Sequence, residues 1–211
     1  MSDNKSGKKT LLLSLIMSSS GPLVVGLGLM VGKSSTQVAD FVRRSIELLG
    51  IILSYVVYCI TTKDSGIDEF KKQKYEKGTN IFVSIAMVIS GIIMTVLAFL
   101  STGEDKGSVI PGLAIALLGV IANSLFWIKY TKLTKETNNK ILIVQSRLYR
   151  AKTFVDLSVL IALGSVMLFQ DSELAYYFDL IGTVCVSGYL IFTGVKSFIN
   201  EVRRTKINKS V

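Results

Sequence analysis

Six windows of this sequence are apolar over the length a helix needs to cross a bilayer, roughly 20 residues each. They fall near 11–31, 36–61, 79–101, 108–129, 150–169 and 174–195. Such windows leave the chain little choice. Backbone N–H and C=O groups in hydrocarbon must be paired within the segment, which a helix does. The expectation is an all-α membrane protein built as a six-transmembrane-helix bundle. Residues 1–10 would be an N-terminal tail, 11–195 the transmembrane domain and 196–211 a basic C-terminal tail. Half of the residues (50%) are hydrophobic, which is too many for an ordinary soluble domain. The stretches between windows leave no room for a second folded domain. The first window is as long as the others and is not followed by a small-x-small cleavage site, so it reads as a retained helix and not as a signal peptide.

The net charge of +9 is distributed in a way that argues against nucleic acid. Lys and Arg occupy alternate connections, as the positive-inside rule requires. One set carries Lys5, Lys8 and Lys9, then Lys71 to Lys77, then Lys129 to Arg150, then Lys196 to Lys209. The other carries only Lys33 and Lys106, beside the acids Glu104, Asp105, Asp171 and Glu173. Both termini are therefore expected in the cytoplasm of a multi-pass cell-membrane protein. Its basic tail would meet anionic lipid head groups, not nucleic acid.

The sequence contains no histidine, so the commonest transition-metal ligand and the usual proton shuttle are missing. Cys59 and Cys185 fall inside windows and read as small buried apolar residues, with no disulfide implied. There is no nucleophile elbow or phosphate loop, and no motif supports an aspartate dyad. The chain does not read as an enzyme, and no cofactor is expected.

One window breaks the apolar pattern. Asp40, Arg43, Arg44 and Glu47 lie in VADFVRRSIELLGIILSYVVYCI at spacing i, i+3, i+4, i+7, on one helical face. Charges at membrane depth are costly and normally face a bundle interior or a water-filled path. A second charged site lies on the fifth window, where Lys152 and Asp156 share a face one turn apart. Counting 1.5 Å per residue from the outer surface puts Glu47 roughly 20 Å deep, close to the depth of Asp156. The pairs expected are Arg44 with Asp156 and Glu47 with Lys152. Asp179 lies near the outer end of the sixth window and Asn123 in the inner half of the fourth. Trp127 and Tyr130 follow as interface anchors. Pro22, after Ser18, Ser19 and Ser20, is expected to kink the first helix or to break it along a substrate path. Neighbouring hydroxyls would re-satisfy the freed carbonyls.

Two stretches carry a family resemblance. GKSSTQVADFVRRSIE resembles the Gly-Ser loop and second helix of the cation diffusion facilitators, with one extra residue before Ala-Asp. NNKILIVQSRLYRAKTFVDLSVLIALG resembles their basic linker and fifth helix. The likeness extends over about residues 10–200. It implies six helices with cytoplasmic termini, cation efflux or antiport, and a homodimer. The sequence ends at Val211, so a chain without the family's C-terminal cytoplasmic domain is expected. The family's metal site takes two side chains each from helices two and five. Carried over position by position, these are Arg43, Glu47, Leu148 and Lys152. Only Glu47 is a ligand, and two of the four positions are cationic. This set does not build the tetrahedral shell that zinc prefers.

Three functions are consistent with these residues. The first is a secondary transporter on a facilitator-type scaffold, with an altered site taking a small or organic cation and coupled to protons through Asp40, Glu47 or Asp156. The second is efflux of a manganese- or magnesium-like divalent cation through a displaced metal site of Asp40, Glu47 and Asp156, whose oxygens suit hard ions. The third is a non-transporting membrane scaffold whose charges form a structural ion-pair network.

Overall fold

Each expected window lies, to within a residue, inside one α-helix of the fold. The structure, a computed structural model, describes residues 2–31, 35–62, 67–100, 109–168 and 173–207. The side chains of Asp40 and Asp179, together with Lys33, Lys106, Glu104, Asp105, Asp171 and the side chain of Glu173, lie outside the described residues. The helices are α1 (Ser2–Val31), α2 (Ser35–Thr62), α3 (Glu69–Leu100), α4 (Val109–Thr137), α5 (Lys140–Leu168) and α6 (Glu173–Ile207). No strand occurs among the described residues. Three stretches among them are long and apolar enough to cross a membrane: Phe41–Thr62, Glu69–Leu100 and Leu180–Arg203.

All the helices except α2 run well past their windows, always at the end where Lys and Arg collect. The residues added are mostly Lys, Glu, Gln, Arg and Thr. Apart from Thr these are straight-chain residues, which lose little rotamer freedom in a helix. The basic stretch between the fourth and fifth windows is thus a helical hairpin with a turn of two asparagines. Asn138 takes the left-handed conformation (φ 48°), and its N–H bonds the Thr134 carbonyl at 3.0 Å. It ends α4 as an αL cap. The Asn139 side chain accepts from the Ile141 N–H at 2.9 Å and so caps α5.

Neighbouring helices close a ring in the order α1–α2–α3–α6–α5–α4, and α5 also reaches inward to α2 and α3. The pair α3–α6 packs closely. A Cβ on Gly91 would lie 2.9 Å from the Ser187 carbonyl oxygen, and one on Gly194 would lie 2.8 Å from that of Ser84. Small residues therefore let these backbones touch. Tyr58, Tyr130 and Tyr149 are fully buried and pack with Phe126, Leu142 and Leu148. Large apolar side chains such as Leu118, Ile128 and Phe192 cover the outer surface.

Two sequence expectations change here, and of the two alternatives for Pro22 the break drops out. Tyr130 is a core residue and not an interface anchor: its hydroxyl lies 2.6 Å from Ser14 Oγ of α1. A buried tyrosine needs such a partner for its polar end. Cys59 is half-buried and Cys185 exposed, so neither is a core residue; both are free. Helix α1 continues unbroken through Pro22. The carbonyl that Pro22 frees is that of Ser18, four residues back. The hydroxyls of Ser19 and Ser20 donate instead to the carbonyls of Ile16 and Met17, both at 2.7 Å.

Candidate substrate site between helices α2 and α5

Arg43 and Glu47 of the charged face of α2 point into the ring. Arg43 and Glu47 are one turn apart and both buried, at 8% and 3% exposure. Arg43 Nη1 donates to Glu47 Oε1 at 3.3 Å. From α5, Lys152 Nζ lies 3.6 Å from the other oxygen, Oε2. Glu47 is therefore held between a cation of its own helix and one from the opposite helix. Lys152 also sits over the Tyr149 ring, 5.3 Å from its centroid, in cation–π contact.

A second link ties the same helices. Gln145 Nε2 donates to Ser54 Oγ at 2.7 Å, and both residues are buried. On each helix this link is seven residues, two turns, from the Glu47–Lys152 pair. That spacing is what two antiparallel helices require.

Asp156 lies one turn beyond Lys152 but faces another neighbour. Its Oδ2 accepts from Asn123 Nδ2 of α4 at 2.5 Å. Gly119, one turn further along α4, makes room for the carboxylate: a Cβ there would lie 2.6 Å from Oδ2. The guanidinium of Arg44 packs against Gly21 of α1, where a Cβ would lie 3.3 Å from Nη1. Lys152, Arg44 and Arg43 all remain close enough to act electrostatically on Asp156.

Of the two pairs expected, Glu47 with Lys152 is therefore formed, while Asp156 is satisfied by an amide. The signal for Asn123 lies in the α4–α5 hairpin. Residues nearly equidistant from the Asn138–Asn139 turn face each other, as Thr131 and Ser146 do at 2.9 Å. Asn123 and Asp156 are nearly equidistant in the same way. Gln145 and Ser54 carry no charge, so the sequence holds no signal that they meet.

The described site holds three cations, Arg43, Arg44 and Lys152, against two carboxylates, Glu47 and Asp156. Among the described residues no three His, Cys, Asp or Glu side chains converge as a metal-binding group. At the helix-five position corresponding to a ligand, Leu148 is buried at 1% exposure.

The model of the cation efflux transmembrane domain matches residues 11–204. The chain belongs to the cation efflux family. The match takes in all six helices, so this is a membrane protein of a cation-transporting family. Cation efflux proteins are transporters and not enzymes. No curated protein matches the chain. Within the family frame, Arg43, Glu47, Leu148 and Lys152 stand where the facilitator resemblance places metal ligands. Here three of those positions, Arg43, Glu47 and Lys152, hold an ion-pair cluster, and the fourth is the buried Leu148.

Proposed function

We propose that this chain is a secondary transporter of the cation efflux type whose central site takes a small monovalent or organic cation instead of zinc. In this reading all six helices span the cell membrane, both termini are cytoplasmic, and the assembly is a homodimer. The observation that carries the proposal is Glu47 clamped between Arg43 at 3.3 Å and Lys152 at 3.6 Å. The Lys152 ammonium is a tethered cation on the site's central carboxylate. A substrate with a single positive charge reproduces its electrostatics by displacing it. A divalent ion at the same place meets Arg43 and Lys152 at close range, and like charges there are strongly repelled. Glu47 and Asp156 are the described carboxylates on which proton coupling would run.

The test is a thermal-shift screen of purified protein against monovalent ions, organic ammonium ions and divalent metals, repeated on Glu47→Gln. Stabilisation by a monovalent or organic cation, lost in Glu47→Gln, is expected. Stabilisation by manganese or magnesium, lost in both Asp40→Asn and Glu47→Gln, would overturn this reading in favour of displaced divalent efflux.

One observation favours a structural reading. The buried Glu47 carboxylate is already engaged through both of its oxygens. The charge-swapped pair Glu47→Lys with Lys152→Glu separates the two. Full transport by that double variant would make the cluster a register device and not a binding site.

A further inference from the structure

The hydrogen bond between Gln145 and Ser54 lies on the way from the charged cluster to the Lys/Arg-rich end of the bundle. Ser54 is two turns beyond Glu47 along α2, and Gln145 two turns before Lys152 along α5, roughly 10 Å in each case. Ile51 and Leu148 come first, one turn from the cluster. Both are buried and belong to one apolar cluster with Val83 and Met87 of α3. Between α2 and α5, an apolar layer and then a polar link therefore stand between Glu47 and that end.

The polar link is unevenly satisfied. Gln145 is fully buried; its Nε2 donates to Ser54 Oγ at 2.7 Å, while its Oε1 has no hydrogen-bond partner. Ser54 donates in turn to the Gly50 carbonyl at 2.8 Å, so its own proton is placed without Gln145. A buried acceptor left unpaired costs at least as much as one hydrogen bond returns, and water removes that cost. Separating α2 from α5 at this level breaks the Gln145–Ser54 bond but wets Oε1. The two changes oppose each other, so the closed arrangement is weakly held. A leucine at 145 would close the same level with no amide left unpaired.

We propose that Gln145 and Ser54 are the clasp of a gate between Glu47 and the Lys/Arg-rich end, closed in this structure and poised to open as α2 and α5 separate. The proposal rests on the reading of the cluster as a transport site, because such a site has to be reached from that end. Gln145 and Ser54 are positioning residues here, acting through the distance between the two helices. While the clasp is shut, Ile51 and Leu148 keep water from Glu47 on this side. The unpaired Oε1 keeps the closed state from becoming too stable to leave.

The test reads how fast a thiol reagent reaches the cluster from the Lys/Arg-rich end. With Cys59 and Cys185 replaced, the reporter is Ser90→Cys; Ser90 of α3 is fully buried beside the Glu47 carboxylate. Its reaction with a membrane-impermeant methanethiosulfonate is followed in inverted membrane vesicles, without substrate. Ser54→Ala takes away the one partner of the Gln145 amide and should speed the reaction about fivefold, the scale of one net hydrogen bond. Gln145→Leu removes the unpaired acceptor and should slow it by a similar factor. Opposite shifts distinguish a gate from a tie that only adds stability, whose loss would act alike in both variants. Ser14→Cys, at a buried position between α1 and α4, is the control reporter and should keep its rate in both backgrounds. No reaction of Ser90→Cys in the parent or in Ser54→Ala, shifts of the same sign, or an equal change at Ser14→Cys would each overturn the proposal. If Ser54→Ala does not fold, Gln145→Leu decides alone: slower labelling supports the gate, and an unchanged or faster rate overturns it. The labelling needs no substrate, so a failed gate and a failed cation screen are read separately.

Discussion

Glu47 is the residue on which the site turns, because it is buried and shared by two cations from different helices. Breaking one side of a buried ion pair costs about 3–5 kcal/mol, since the remaining charge is left uncompensated. Glu47→Gln leaves Arg43 and Lys152 facing each other in the interior, so a loss of that order is expected. Lys152→Met leaves Glu47 its Arg43 and should cost less. Denaturant unfolding in one detergent compares the two; an unchanged midpoint for Glu47→Gln would contradict the burial of the cluster. The Glu47–Lys152 pair was legible in the sequence because both residues are charges out of place in apolar windows at similar depth. The partner of Asp156 was not, because an amide such as Asn123 competes with any nearby cation and carries no charge to advertise itself.

At the scale of elements, α3 and α6 are joined by close backbone contact. A methyl on Gly91 or Gly194 meets a carbonyl oxygen of the opposite helix at under 3 Å, and backbone cannot swing away as a side chain would. Gly91→Ala and Gly194→Ala should each cost about 1–3 kcal/mol, the usual scale for overpacking. Both changes push the same two helices apart, so together they should cost less than the sum of the two. Unfolding of the single and double variants tests this, and strict additivity would mean that the two sites do not share one helix separation. Helix identity was readable from apolar length, whereas helix ends were not. Four of the five extensions past the windows lie in polar sequence, where hydropathy is silent and capping decides; that of α5, KILIVQSRLY, is largely apolar and buried. The asparagine pair that turns α4 into α5 is a local signal, yet the charged stretch around it also reads as a linker.

At the scale of the whole molecule, the proposed orientation rests on charge. The Lys/Arg-rich ends of the helices meet at one end of the bundle, as the contacts Lys140–Glu76, Asn80–Glu201 and Tyr130–Thr10 record. With Cys59 and Cys185 replaced, single cysteines at Lys74 and Lys132 should react with an impermeant thiol reagent only after cells are permeabilised. One at Lys106 should react on intact cells; the reverse pattern would invert the proposed topology. The sequence by itself determined the number of helices, the end at which positive charge gathers, and the charged faces of α2 and α5. Apolar length, charge asymmetry and helical spacing are local properties of the chain. The ring order, the Asn123–Asp156 bond, the burial of Tyr130 and the Gln145–Ser54 link between α2 and α5 were decided only by the tertiary structure. Each depends on which helix faces which, and that follows from packing between segments far apart in sequence.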